Sequence, residues 1–264
     1  MGTRRLRRAL AGLLTLGCVV AGCATSQPAS RTRATASASA SLRPWPIVAL
    51  GDSVPRGTNC QCTPYPPLTA QGLTASGGRT VTAANDSIAG ATTSTVLEQL
   101  KSDTAVIGHV RKARVVEIEI GANDVGYTKS CGVDVACYAP RIPTIETNLA
   151  EIVGRVRRLA TGRKPLVVLL DYWSVWLGGK YAAANGQAYV TAAEEVTDRV
   201  NTVIKSTAAT TDSAYVDLRA AFKGPDYAYD ETHYLSSDGD HPNAAGHAKI
   251  ADAAEAVIEK ALHI

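Results

Sequence analysis

Residues Ile47–Gly57 read IVALGDSVPRG. Four apolar residues, Ile47 to Leu50, run without a break into Gly51, Asp52 and Ser53. A short continuous apolar run of this kind predicts a strand buried on both faces of a parallel sheet. The chain must turn where the run ends, and Gly51 lets the backbone do so. Ser53 thus falls just past a strand end, where open α/β sheets place their ligands. Taken alone, Gly-Asp-Ser is also ordinary turn chemistry. Its meaning depends on what the rest of the chain brings to the same end of the sheet.

Downstream, strand and helix patterns alternate. Arg79–Ala84 and Ala113–Ile120 read as strands, as do the apolar run Pro165–Leu170 and the short Ala214–Leu218. Between them, Thr92–Leu100, Ile142–Leu159, Ala188–Ile204 and Ala244–Leu262 carry helical spacing. Pro55–Pro67 shows neither period and reads as a Pro- and Cys-rich loop. The alternation predicts a three-layer α/β/α domain over 46–264, with about five parallel strands in a flavodoxin-like order. Glu117 and Glu119 alternate with Ile118 and Ile120 on a strand expected to be central. Two carboxyl groups on one face there are costly unless partnered.

The chain opens differently. Residues 1–22 carry four arginines and then an apolar run too short to span a bilayer with flanks, which predicts an export signal. The run ends in Val20-Ala21-Gly22-Cys23, which resembles a bacterial lipobox and implies cleavage before Cys23 and lipidation of its sulfur. An ordinary signal peptide with a chance cysteine is the alternative. Residues 23–45, rich in Ala, Ser, Thr and Arg, bury too little to offset ordering and read as a flexible tether. Removing four arginines and no acid takes the formal charge from +3 to −1, so no basic excess points to nucleic acid. The expected product is an exported, surface-anchored monomer held to the membrane through Cys23.

In that oxidising setting Cys60, Cys62, Cys131 and Cys137 are disulfide candidates. Cys131–Cys137 would close a short loop, leaving Cys60 and Cys62 as a tight pair or as two thiols. A C-x-C zinc site is the other possibility, but a matching second half is missing.

A serine nucleophile requires a base, a group that orients the base, and donors for the developing oxyanion. Ser237–His247 reads SDGDHPNAAGH, after the last strand. Asp238, three residues before His241, can hold one ring nitrogen while the other faces the serine. Asp240 immediately precedes the ring and would have to fold back to reach it. A metal reading of Asp238, Asp240, His241 and His247 lacks a further ligand at suitable spacing. Asn123, in Gly121-Ala122-Asn123-Asp124, and Gly90 follow two other strands and offer an amide and a free backbone N–H. Tyr172, Trp173 and Trp176 follow the fourth strand, where they either wall a substrate pocket or pack the loop down. His109, His233, Asp52 and Asp124 read as surface, capping or loop-holding groups.

These blocks resemble the GDSL, or SGNH, hydrolase family from first strand to last helix. GDSV with Ser53, NDSIAGATT with Gly90, GAND with Asn123, and Asp238-x-x-His241 stand in the family's order. Val54 replaces the leucine of the family name and Ala122 a frequent glycine. The resemblance implies that Ser53 attacks an ester carbonyl, with His241 as base and Asp238 orienting it. The Ser53 and Gly90 N–H groups and the Asn123 amide would hold the oxyanion. No metal or cofactor is expected, and the substrate implied is a carboxylic ester. An acetyl-ester hydrolase or acyltransferase acting on envelope glycans is the alternative, supported only by the surface location and the aromatic loop. The GxSxG elbow of α/β-hydrolases is absent. From a different class, a non-catalytic binding lipoprotein on the same scaffold is the competing reading.

Overall fold

The computed structural model describes residues 43–264. The leader over 1–22, the lipobox Cys23 and most of the tether lie outside them. Trp45, assigned above to the tether, instead opens the first strand: its N–H donates to the Thr80 carbonyl at 3.0 Å, and Arg79 and Arg114 lie over its ring.

In chain order the elements are β1 (Trp45–Gly51), α1 (Ser53–Arg56), α2 (Tyr65–Gly77), β2 (Val81–Asn85), α3 (Thr93–Ser102), α4 (Thr104–Lys112) and β3 (Val115–Glu119). Then follow α5 (Val135–Tyr138), α6 (Ile142–Leu159), β4 (Leu166–Leu170), α7 (Gly179–Ala183), α8 (Gln187–Thr210), β5 (Ala214–Val216), α9 (Leu218–Lys223) and α10 (Ala244–Leu262). The strands form one parallel sheet in the order β2-β1-β3-β4-β5. Helices α2 and α10 pack together on one face, while α3, α6 and α8 cover the other. This is the three-layer, flavodoxin-like arrangement the alternating pattern predicts.

Ile47–Leu50 and Val167–Leu170 are buried throughout, as unbroken apolar runs between two helical layers must be. Helix α6 turns Ile145, Leu149, Ile152, Val153 and Val156 inward at helical spacing. Several helices depart from the sequence reading. The expected loop Pro55–Pro67 contains the end of α1 and the start of α2, where Pro66 and Pro67 occupy the first turn. Proline is preset for that position, since the first turn has no use for its missing N–H. Helix α4 is short and buries only Val106 and Val110, with Asp103 capping its first turn.

The reversal of strand order beside β1 opens a crevice at the carboxyl ends of β1 and β3. Those ends are level, since Gly51 pairs with Glu119. A side chain at Gly51 would place its Cβ against the Glu119 carbonyl and the Pro55 ring, so the close approach excludes one.

Glu117 and Glu119 are fully buried on the face covered by α2 and α10. Their four carboxyl oxygens, the Tyr65 hydroxyl and both His247 ring nitrogens have no hydrogen-bond partner among the described residues. Burial pushes Glu117 up to about 8 and Glu119 well above the usual carboxyl range, where the charge of Asp52 adds to the effect. Burial thus favours the protonated form of both.

Candidate active site

Asp52 fixes the nucleophile loop. Its buried carboxylate caps α1, accepting from the Val54 N–H at 3.0 Å and from the Tyr172 hydroxyl at 2.6 Å. Burial pushes it up to about 6 against these donors. Ser53 is thereby held at the first position of α1, where a backbone N–H has no helical acceptor. Ser53 and Asn123 line one cavity of about 360 Å³.

Asn123 sits in a single 3₁₀ turn after β3. Its Nδ2 donates one proton to the Ala91 carbonyl at 2.9 Å, which leaves the second free. That bond ties the β3 loop to the β2 loop, where Gly90 adopts φ +78°, a conformation that a side chain would oppose. Asp124 secures the same junction by accepting from the Thr93 N–H and hydroxyl at 2.9 and 2.7 Å.

In the loop before α10, His241 Nδ1 meets Asp238 Oδ2 at 2.8 Å, while Asp238 Oδ1 accepts from the Asp240 and His241 N–H groups at 3.0 and 3.1 Å. Asp240 stands 3.9 Å from Nδ1, is half-exposed, and borders the Ser53 cavity. Burial pushes Asp238 up, but its hydrogen bonds outweigh this. The amide of Asn59 leads them, ahead of the His241 contacts, and the carboxyl is held at about 2. With Nδ1 engaged, the acceptor nitrogen of His241 is Nε2. No hydrogen bond joins Ser53 Oγ to His241 among the described residues; such bonds often tighten only with substrate bound.

Tyr172, Trp173 and Trp176 all border the cavity and are also buried, packing the loop after β4 down. Trp176 donates to the Val125 carbonyl at 2.8 Å and packs edge-on to Tyr138, while Trp173 stacks on Phe222 at 4.4 Å. Tyr127 and Tyr189, which the sequence did not single out, complete the aromatic lining. Cys60 pairs with Cys62 and Cys131 with Cys137, at Cα separations of 5.1 and 5.7 Å. His109 pairs with Asp86 at the surface, and His233 lies against Tyr234. His247 is buried against Tyr65, and burial, with the charge of His241, lowers it to about 4. It faces Cys60 and Cys62, but the disulfide occupies those sulfurs.

A three-layer α/β/α domain on a parallel sheet thus carries a serine after β1, an amide after β3 and an aspartate-held histidine before α10, with no GxSxG elbow. Residues 49–249 match the GDSL-like lipase/acylhydrolase family, and the chain belongs to it. The fold is shared with the lipase Lip_vut3 from a goat rumen metagenome: TM-score 0.64, 18% identity, over 81% of this chain and 97% of that one. Axe2, an acetylxylan esterase from Geobacillus stearothermophilus, gives 0.58 at 22% identity over 81% and 94%. TesA gives 0.57 at 18% over 81% and 98%. A comparison with curated proteins gives no match.

Proposed function

We propose that this esterase/lipase-type hydrolase cleaves carboxylic esters through an acyl-enzyme on Ser53. The observation that carries the reading is the 2.8 Å contact between Asp238 and His241 Nδ1, which leaves Nε2 to take a proton. In acylation, Ser53 Oγ attacks the ester carbonyl as its proton passes to His241 Nε2. The tetrahedral oxyanion is met by the Ser53 and Gly90 N–H groups and the free Asn123 amide proton. Collapse breaks the ester C–O bond, and the protonated imidazole delivers its proton to the departing alcohol. Water then repeats the sequence on the acyl-enzyme. Ser53→Ala tests this: turnover of a short-chain aryl ester is expected to vanish while the fold persists, and unchanged turnover would refute the assignment.

One observation favours an acylated glycan as the natural ester. Tyr127 is 44% exposed at the cavity rim and packs edge-on to Trp176 at 5.2 Å, a rigid aromatic face suited to a sugar ring. Asn185, Ser174 and Asp240 add polar groups to the lining. Tyr127→Ala is expected to raise KM for acetylated xylooligosaccharides and to leave aryl acetate hydrolysis within about twofold. Product analysis with water and a sugar acceptor in competition separates hydrolysis from acyl transfer. We place the enzyme at the cell surface, lipid-anchored, on the strength of the arginine-led leader and Cys23. Cys23→Ser is expected to release it from the membrane fraction.

A further inference from the structure

The carboxylate of Asp238 has a fourth partner from far away in the chain. Asn59 Nδ2 donates to Asp238 Oδ2 at 2.5 Å, across 179 residues of sequence. The orientation of the amide follows from chemistry: turned over, it would set a carbonyl oxygen against a carboxylate oxygen. Oδ2 then carries the Asn59 amide and the His241 ring, and Oδ1 carries two backbone N–H groups, so rotation of the carboxylate would break bonds on both oxygens.

The loop that presents Asn59 is anchored at both ends of the site. It leaves α1 directly, with the Thr58 N–H on the Ser53 carbonyl at 3.0 Å and the Gly57 N–H on the Val54 carbonyl at 2.9 Å. Asn59 and Gln61 both stand in the left-handed region, at φ 60° and 52°. Neither conformation is favourable for a residue with a side chain, and asparagine tolerates it better than most. The Cys60–Cys62 disulfide closes around Gln61 and adjoins Asn59. On the far side, the Ser236 hydroxyl reaches the Asn59 carbonyl at 3.4 Å.

We propose that Asn59 is a positioning residue for the reaction: braced by the Cys60–Cys62 disulfide, it locks Asp238 in the orientation that holds His241. This rests on the assignment of Ser53, Asp238 and His241 given above. The groups facing His241 are Asp238 and Asp240 on its own loop, Asp52 ahead of α1 and His247 on α10. Asn59 brings a neutral donor among them and sets geometry while adding no charge.

The test uses substitutions that the left-handed backbone accepts, Asn59→Gly and Asn59→Asp. Asn59→Gly is expected to lower kcat by about tenfold or more with KM within twofold, since substrate contacts are untouched. Asn59→Asp sets a second carboxylate against Asp238 and close to the imidazolium. Its kcat should fall further, and the acid limb of kcat/KM should move to higher pH, a displacement that Asn59→Gly should not show. A Cys60→Ser/Cys62→Ser variant should reproduce the kcat loss, and adding Asn59→Gly to it should cost little more, because both act through one contact. Wild-type kcat in Asn59→Gly, matching pH profiles in the Gly and Asp variants, or additive losses with the cysteine variant would overturn the proposal. Ser53→Ala is assayed alongside. Activity there would bring down the underlying assignment, whereas an inert Ser53→Ala with a fully active Asn59→Gly brings down this inference alone.

Discussion

Replacing Glu117 by glutamine should make the protein more stable, and increasingly so as the pH rises. Glu117 is fully buried on the central strand β3, and burial raises its carboxyl from 4.5 to about 8. Below about pH 4.5 folded and unfolded chains both hold the proton, and the group has no pH-dependent effect. Between 4.5 and 8 only the folded chain holds it. The unfolded state then binds fewer protons, and stability falls as pH rises. Each unit is worth about 1.4 kcal/mol, so the full interval of roughly 3.5 units costs at most about 5 kcal/mol. Glutamine is the neutral isostere of the protonated side chain and lacks this slope. Urea unfolding followed by tryptophan fluorescence at pH 5, 6, 7 and 8 measures the difference between the two proteins at each pH. The advantage of Glu117→Gln should grow by up to about 4 kcal/mol from pH 5 to pH 8. Glu119 is desolvated in both proteins, and loss of the Glu117 charge removes only the smallest of the causes that raise it. A difference that stays constant across that range, or shrinks, would refute the claim that Glu117 is kept neutral by burial.

Other substitutions probe the site. Asp238→Asn should cut kcat by about two to four orders of magnitude and move the acid limb of the pH–rate profile to lower pH, because the group favouring imidazolium is gone. Asp240→Asn should stay within a few-fold of the parent, and the reverse ranking of these two variants would show that the orienting carboxylate is wrongly assigned. Asn123→Ala should lower kcat by about 10²–10³ with little change in KM, read from initial rates on an aryl ester. Tyr172→Phe removes the phenol that Asp52 accepts at 2.6 Å in the interior. It should cost about 1–3 kcal/mol in urea unfolding at pH 8, with the loss reduced at pH 5 as Asp52, which titrates at about 6, takes up a proton.

What the sequence revealed follows the strength of its local signals. Buried parallel strands and long amphipathic helices write their own pattern, and Ile142–Leu159 and Ala244–Leu262 carry it over their full lengths. The alternation of strands and helices leaves few sheet orders, of which the flavodoxin-like one is found, and Ser53, Gly90 and Asn123 follow apolar strand runs at glycine-containing turns. Helix α2 was hidden because its prolines read as loop and its inward face is built from Tyr65, Thr69, Ala70 and Leu73, a weak apolar stripe. Glu117 and Glu119 stood out as a puzzle, and the burial that favours their protonated forms is something no periodicity encodes. Asn59 left no signal, since its partner is 179 residues away and their contact exists only once the loop after α1 and the loop before α10 share one end of the sheet.

The central claim is that Ser53 is the nucleophile. The direct measurement is intact mass and peptide mapping after treatment of the folded protein with a fluorophosphonate. A single covalent adduct is expected, located on Ser53, whose formation is slowed strongly by His241→Ala and tracks the loss of ester turnover. Complete modification at any other residue, or an unmodified Ser53 in protein that still hydrolyses esters, would contradict it.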